Sequence, residues 1–148
     1  MTSLRSELII DPSIVQENIK YLKTLIPNNS HFMAVIKSDA YGHIMENLLE
    51  HIDCSVDGYG TVRIDEAIRI RERSNKKILL MTGLYSESDL EIATKHNLDL
   101  VIHNKEQFEL IKKNNFYNNL WFKINTGMNR LGFEEKDFLQ IYNEHLKD

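Results

Sequence analysis

Cysteine is almost missing: Cys54 stands alone among 148 residues. No internal disulfide can form, which points to a reducing compartment. Neither charge sign dominates, with 18 Lys and Arg against 22 Asp and Glu for a net charge of −4. That balance argues against a nucleic-acid partner or an anionic membrane surface. No apolar run reaches membrane-spanning length, and "MTSLRSELIIDP" lacks the apolar core of a signal peptide. The expectation is a soluble cytoplasmic protein. Glycine-rich phosphate motifs are missing too: no Gly-x-Gly-x-x-Gly follows an apolar run, and no phosphate loop occurs. The six histidines, His31, His43, His51, His96, His103 and His145, form no i, i+4 pair and have no cysteine partner of the kind zinc needs. No metal site is expected, and Cys54 reads as a small buried filler.

What is present is a steady beat. Short apolar runs recur as "FMAVIK" ending at Lys37, "GYGTV" at 58–62, "KILLMTG" at 77–83, "LDLVIH" at 98–103 and "LWFKI" at 120–124. Such runs, bounded by turn residues, suit strands buried on both faces. Amphipathic stretches fill the gaps: "MENLLEHI", "IDEAIRIRER", "ESDLEIATKH", "KEQFELIKKN" and "EKDFLQIYNEHL". Ser86 with Asp89, and Asn104 with Gln107, have capping-box spacing. The mixed charges of "RIDEAIRIRER" read as a solvated helix face.

Ahead of this array, "SELIIDPSIVQENIKYLKTLIP" reads as a short strand and then a helix, with Asp11 as N-cap and Pro12 at the first helical position. Ile14, Val15, Ile19, Leu22 and Leu25 form its apolar stripe. Strict strand–helix alternation implies an α/β fold with parallel strands and right-handed crossovers. With no dinucleotide fingerprint, a TIM-type (β/α) barrel is favoured over an open doubly wound sheet. A barrel needs eight strands and about 250 residues. These residues supply five strand–helix units, so the expectation is a partial barrel.

Functional groups in such folds cluster at the carboxyl ends of the strands. Two lysines fall there, Lys37 and Lys123. A lysine with a free amine can attack a carbonyl and form a Schiff base, and pyridoxal phosphate uses such a lysine directly. Tyr41 could give a hydroxyl to a phosphate or a substrate. In "KINTGMNRLGF", Gly127 and Gly132 bracket Arg130, whose planar fork suits a carboxylate or phenolate.

"AVIKSDAYGH" resembles the cofactor-attachment motif of alanine racemases, Ala-Val-Val-Lys-Ala-Asp-Ala-Tyr-Gly-His-Gly. "FKINTGMNRLGF" resembles that family's Lys-x-Asp-Thr-Gly-Met-x-Arg-Leu-Gly segment, in the same order and at a similar distance. "SELIIDPSIVQENIKYLK" and "GYGTVRIDEAIRIRE" resemble two further stretches, so the likeness covers essentially the whole chain.

The resemblance implies a pyridoxal-phosphate isomerase interconverting L- and D-alanine, the latter for peptidoglycan. It makes Lys37 both the cofactor lysine and the base on one face of the substrate. It places Tyr41 at the cofactor phosphate, and Arg130 at the substrate carboxylate and the cofactor's phenolic oxygen. Lys123 matches a lysine that some members carry as a carbamate. Two positions depart from the pattern: Ile44 stands where glycine is usual and Asn125 where aspartate is common.

The family's opposing base, a tyrosine, comes from a carboxy-terminal β-domain across a homodimer interface, and residues 1–148 do not include that domain. The expectation is therefore an amino-terminal barrel portion, inactive by itself and prone to self-association. A non-catalytic carrier of the cofactor is the alternative reading.

Overall fold

The computed structural model describes residues 7–116 and 118–147. Five strands pair in the order in which they occur in the chain. They are β1 (Met33–Val35), β2 (Gly58–Thr61), β3 (Lys77–Leu80), β4 (Asp99–Ile102) and β5 (Leu120–Phe122). Every pairing is parallel, with Ala34 beside Tyr59, Tyr59 beside Ile78, Leu80 beside Leu100 and Leu100 beside Leu120. Helices α3 (Met45–Ile52), α4 (Ile64–Arg71), α5 (Glu87–Lys95) and α6 (Lys105–Lys113) follow the first four strands, and α7 (Glu135–Ile141) follows β5. This is the expected alternation, one side of a (β/α) barrel that leaves β1 and β5 as edges.

Strand alternation divides the side chains between two faces. Tyr59, Ile78, Leu80, Leu100 and Ile102 join one core cluster with Leu49, Ile52, Ala67, Ile70, Ala93 and Ile111 from the helices. Met33, Val35, Gly58, Gly60 and Trp121 occupy the other phase. A Cβ added at Gly58 would lie 2.9 Å from the Lys77 carbonyl oxygen, so β2 has no room for a side chain at that position. A 370 Å³ cavity opens on this side at the amino ends of the strands, lined by Met33, Gly58, Lys77 and Trp121 among others.

Polar groups tie the layers together. Tyr59, fully buried, donates its hydroxyl to Asp53 Oδ1 at 3.0 Å, and Ser74 donates to the same oxygen at 2.5 Å. Arg71 donates to four carbonyls: His96 at 2.9 Å, Ser74 at 3.0 Å, Lys76 at 2.9 Å and Asn97 at 3.2 Å. It thereby joins the end of α5 to the entry of β3. Phe108 and Phe138 pack tilted against Phe122 at centroid distances of 6.0 and 5.8 Å and fasten α6 and α7 to β5. Among the described residues, no helix is long and apolar enough to cross a membrane.

Helix α1 (Pro12–Thr24) begins as expected, with the Asp11 side chain accepting from Ser13 N–H and Pro12 leading the helix. Its apolar stripe is only partly covered. Ile19 is buried, whereas Ile14, Leu22 and Leu25 are exposed, because α1 rests mainly on α3 and nothing described covers its outer flank. The short strand expected before it does not form over residues 7–10, which pair with no neighbour and leave Leu8 and Ile9 exposed. Cys54 is also exposed, contrary to expectation. The 3-10 turn Asp53–Ser55 sends Ile52 and Val56 into the core and leaves Cys54, at its middle, outside.

Arg71→Ala would strand four carbonyls that share one cation. We expect a loss of about 2–3 kcal/mol, read as a lower midpoint in denaturant unfolding with an unchanged slope.

Candidate active site at the carboxyl edge of the sheet

Parallel strands bring their carboxyl ends to one edge, and both strand-end lysines lie there. Ile36 N–H extends the ladder to Gly60 O at 2.9 Å, and Lys123 N–H does the same to Ile102 O at 2.9 Å. Lys37 then opens α2 (Lys37–Gly42), which is not an ordinary helix. Ser38, Asp39, Ala40 and Tyr41 take φ of 54–56° and ψ of 34–50°, a full turn of left-handed helix built without glycine. L-residues disfavour that region by roughly 1–2 kcal/mol each, so the surroundings must impose it. Within the turn, Ala40 N–H donates to Ile36 O at 2.9 Å and His43 N–H to Ala40 O at 3.2 Å. The half-buried Lys37 places Nζ 5.8 Å from the centroid of the Tyr41 ring, which is itself mostly exposed.

The imposing groups come from α4 and α3. Glu66, only 4% exposed, accepts from Ser38 N–H at 2.7 Å and Asp39 N–H at 3.4 Å through Oε1, and from the Thr61 hydroxyl through Oε2. Asp39 Oδ1 accepts from Met45 N–H at 3.1 Å, capping α3, and from Arg69 Nη2 at 3.0 Å. Arg69 closes the network with a two-point fork onto Glu46, at 2.7 and 2.8 Å. The Met45 amide and then Arg69 hold the Asp39 carboxyl below its ordinary range, while the Arg69 hydrogen bond does the same for Glu46. The "RIDEAIRIRER" face is therefore not simply solvated. Glu66, Arg69 and Arg71 on it are all engaged.

The second candidate loop follows β5. Phe133 N–H donates to Lys123 O and Asn125 N–H to Phe133 O, each at 2.8 Å, closing residues 125–132 as a clasped loop. Gly132, at φ 119°, is required here, because a Cβ would lie 2.7 Å from Asn125 N. Asn125 organises the interior of the loop. Its Oδ1 accepts from Gly127 and Asn129 N–H, both at 3.1 Å, and its amide donates to Asn129 Oδ1 and Glu134 Oε1, both at 2.8 Å. An aspartate could not make those two donations. Arg130 sits exposed on this loop, beside a 200 Å³ hollow lined by Asn125, Asn129 and Glu134.

Thus Lys37 and Tyr41 come together, and Lys123 and Arg130 share a second loop. Three strands separate the two pairs, and among the described residues no hydrogen bond or ion pair joins them. Nor does an acidic partner lie within ion-pair distance of Lys37, Lys123 or Arg130 among those residues. This donor set fits pyridoxal phosphate in part: an amine for its aldehyde, and a phenol and a guanidinium for its anionic groups. Sequence reasoning missed the Glu66 and Arg69 network. The signal that could have found it was the spacing of an acid and a base three residues apart, on the face that meets "KSDAYG". His103 is a packed residue, with Nε2 3.0 Å from Thr82 O and 3.1 Å from Gln107 Nε2.

Ile44 has φ 58°, a left-handed conformation that glycine adopts freely and a β-branched residue does not. Its side chain is 43% exposed, so little packing would be lost on truncation. Ile44→Gly is expected to stabilise the protein by about 1 kcal/mol, seen as a higher melting temperature. The Asp39 and Glu46 shifts give a pH signature. Stability from depressed carboxylates is complete above their ordinary values of 3.8 and 4.5 and is lost as pH falls through the lower folded ones. The melting temperature of Arg69→Ala should accordingly fall less steeply than that of the parent protein in acid melts.

The family described as "Alanine racemase, N-terminal domain" matches residues 10–147. The alanine racemase of Mannheimia succiniciproducens is 38% identical over 133 residues, covering 88% of this chain and 37% of that relative. That of Haemophilus influenzae is 35% identical over 138 residues, covering 91% and 38%. Among solved structures, the alanine racemase of Acinetobacter baumannii superposes with a TM-score of 0.84 at 31% identity, over 90% of this chain and 41% of that one. The biosynthetic alanine racemase of Pseudomonas aeruginosa gives 0.86 at 29%, over 94% and 39%. The chain spans between 37% and 41% of the length of these four relatives. With a strand-end lysine on a left-handed turn and a match running from residue 10 to residue 147, the chain belongs to the alanine racemase family through its amino-terminal domain.

Proposed function

We propose that this chain is the amino-terminal part of a pyridoxal-phosphate barrel and that the whole protein interconverts L- and D-alanine in the cytoplasm as a homodimer. The observation that carries the reading is Lys37, half-buried at the carboxyl edge of β1 and set there by the left-handed turn. Pyridoxal phosphate, when bound, supplies an electron sink for a carbanion at the substrate α-carbon.

In this reading the Lys37 amine holds the cofactor through its aldehyde carbon. Once the substrate amine has taken its place there, the freed Lys37 nitrogen would take or return the α-proton on one face of the substrate. The Tyr41 hydroxyl, one helical turn on, serves the cofactor phosphate. Arg130 would offer its fork to the substrate carboxylate and to the cofactor's phenolic oxygen. Carbamylation of Lys123 would replace a cation with an anion able to orient Arg130.

Racemisation needs a second acid–base group on the opposite face. We assign it to the portion of the family's length outside these residues, together with the loops that complete the phosphate cradle. By the same reasoning, residues 1–148 alone do not racemise alanine at an enzymatic rate.

The test is trapping. The protein is mixed with pyridoxal phosphate, reduced with borohydride, digested and mapped by mass spectrometry beside Lys37→Ala. Selective, stoichiometric pyridoxyl modification at Lys37, lost in the variant, is the expected result. Modification spread over exposed lysines such as Lys95 and Lys136, unchanged by Lys37→Ala, would remove the reading.

A further inference from the structure

The left-handed turn raises a question that the cofactor reading does not answer: what aims Lys37? Its amine has no carboxylate partner among the described residues, so side-chain pairing does not fix it. Its backbone is fixed instead. The Ser38 and Asp39 amides, directly after Lys37, both point to the buried Glu66 carboxylate. The turn is also tied through the Asp39 side chain, whose carboxylate joins the first amide of α3 to Arg69. Glu66 and Arg69 stand three residues apart on α4 and so share one helix face.

We propose that Glu66 and Arg69 are positioning residues for Lys37, acting through the turn that carries it. The proposal rests on the reading of Lys37 as the cofactor lysine, and it assigns to α4 the alignment of a group on the β1 side of the site. Four residues held in the left-handed region have no local preference for staying there. When Glu66 loses its charge, its hold on the two amides weakens, the Lys37 carbonyl plane turns, and its amine and the Tyr41 ring lose their 5.8 Å relation. Arg69 acts at one remove, since it restrains Asp39 and Glu46 and touches neither lysine nor tyrosine. A built-in control exists: Arg73 meets Glu50 at 3.2 Å, linking the end of the α4 segment to α3 without touching the turn.

The experiment reads the lysine itself, without cofactor and without turnover. Trace acetic anhydride labels the protein across a neutral-to-alkaline pH series, and the reactivity of Lys37 is taken relative to exposed Lys95 by mass spectrometry. Arg69→Ala and Glu66→Gln should each change the relative reactivity of Lys37 by about tenfold, less than the roughly hundredfold that a full 1 Å misplacement of a reacting group can cost. Arg69→Lys, which keeps the charge and loses the fork, should lie between. Arg73→Ala should leave the profile unchanged.

Folded Arg69→Ala and Arg69→Lys proteins with the parent Lys37 profile would overturn the proposal, whether or not Glu66→Gln folds. An equal change in Arg73→Ala would overturn it too, because the effect would then be general loosening. Borohydride trapping on the same samples separates the two readings. A shifted Lys37 profile with no pyridoxyl group at Lys37, even in the parent protein, upholds the positioning network and ends the cofactor assignment.

Discussion

A buried carboxylate that forms no ion pair among the described residues governs this domain. Glu66 is satisfied entirely by hydrogen-bond donors, two backbone amides and a threonine hydroxyl. An ionised group so placed is stabilised by converging dipoles rather than by a salt bridge. The requirement runs in both directions. Glu66 can be buried only where unpaired amides await it, and the Ser38 and Asp39 amides, in the first turn of α2, have no partner within the helix. Neither feature is stable without the other, and the β2–α4 unit is the frame that brings them together.

Much of the fold was legible because its signals are local and repeated. Five apolar runs alternating with capped amphipathic stretches gave the parallel sheet and its helices. The Ser86 box and the Asn104 cap appear as expected, although Gln107 turns its side-chain oxygen to His103 N–H. What misled were residues whose environment depends on distant chain. Cys54 is small and apolar, yet a 3-10 turn leaves it outside. The strand read before α1 needs a neighbouring edge, and nothing described offers one to residues 7–10. Glu66 and Arg69 look like any charged helix face until the turn at Ser38 is set against them.

The candidate site divides along the same line. Residue type and position at the strand ends singled out Lys37, Tyr41, Lys123 and Arg130, and the parallel sheet puts them all at one edge. Their conformation was not legible. Composition at Ser38–Tyr41 gives no hint of a left-handed turn, since these residues prefer the right-handed region. The departures are informative in hindsight. Ile44 occupies a backbone setting made for glycine, so the family's usual residue there is a statement about φ. Asn125 serves its loop through two donations that the usual aspartate lacks, so charge is only part of what that position contributes.

The glycine-free turn also sets a limit on time. Its buried support is a carboxylate 28 residues along the chain, so the bonds a nascent chain can make locally, within the turn and to Met45, leave the Ser38 and Asp39 amides unheld. Proteins open in cooperative units well short of global unfolding. If α4 lifts from the sheet, even briefly, the restraint on Ser38 and Asp39 is lost and the turn can relax toward right-handed backbone. The aligned amine therefore persists no longer than the docking of α4, a helix that carries none of the four residues expected at the chemistry.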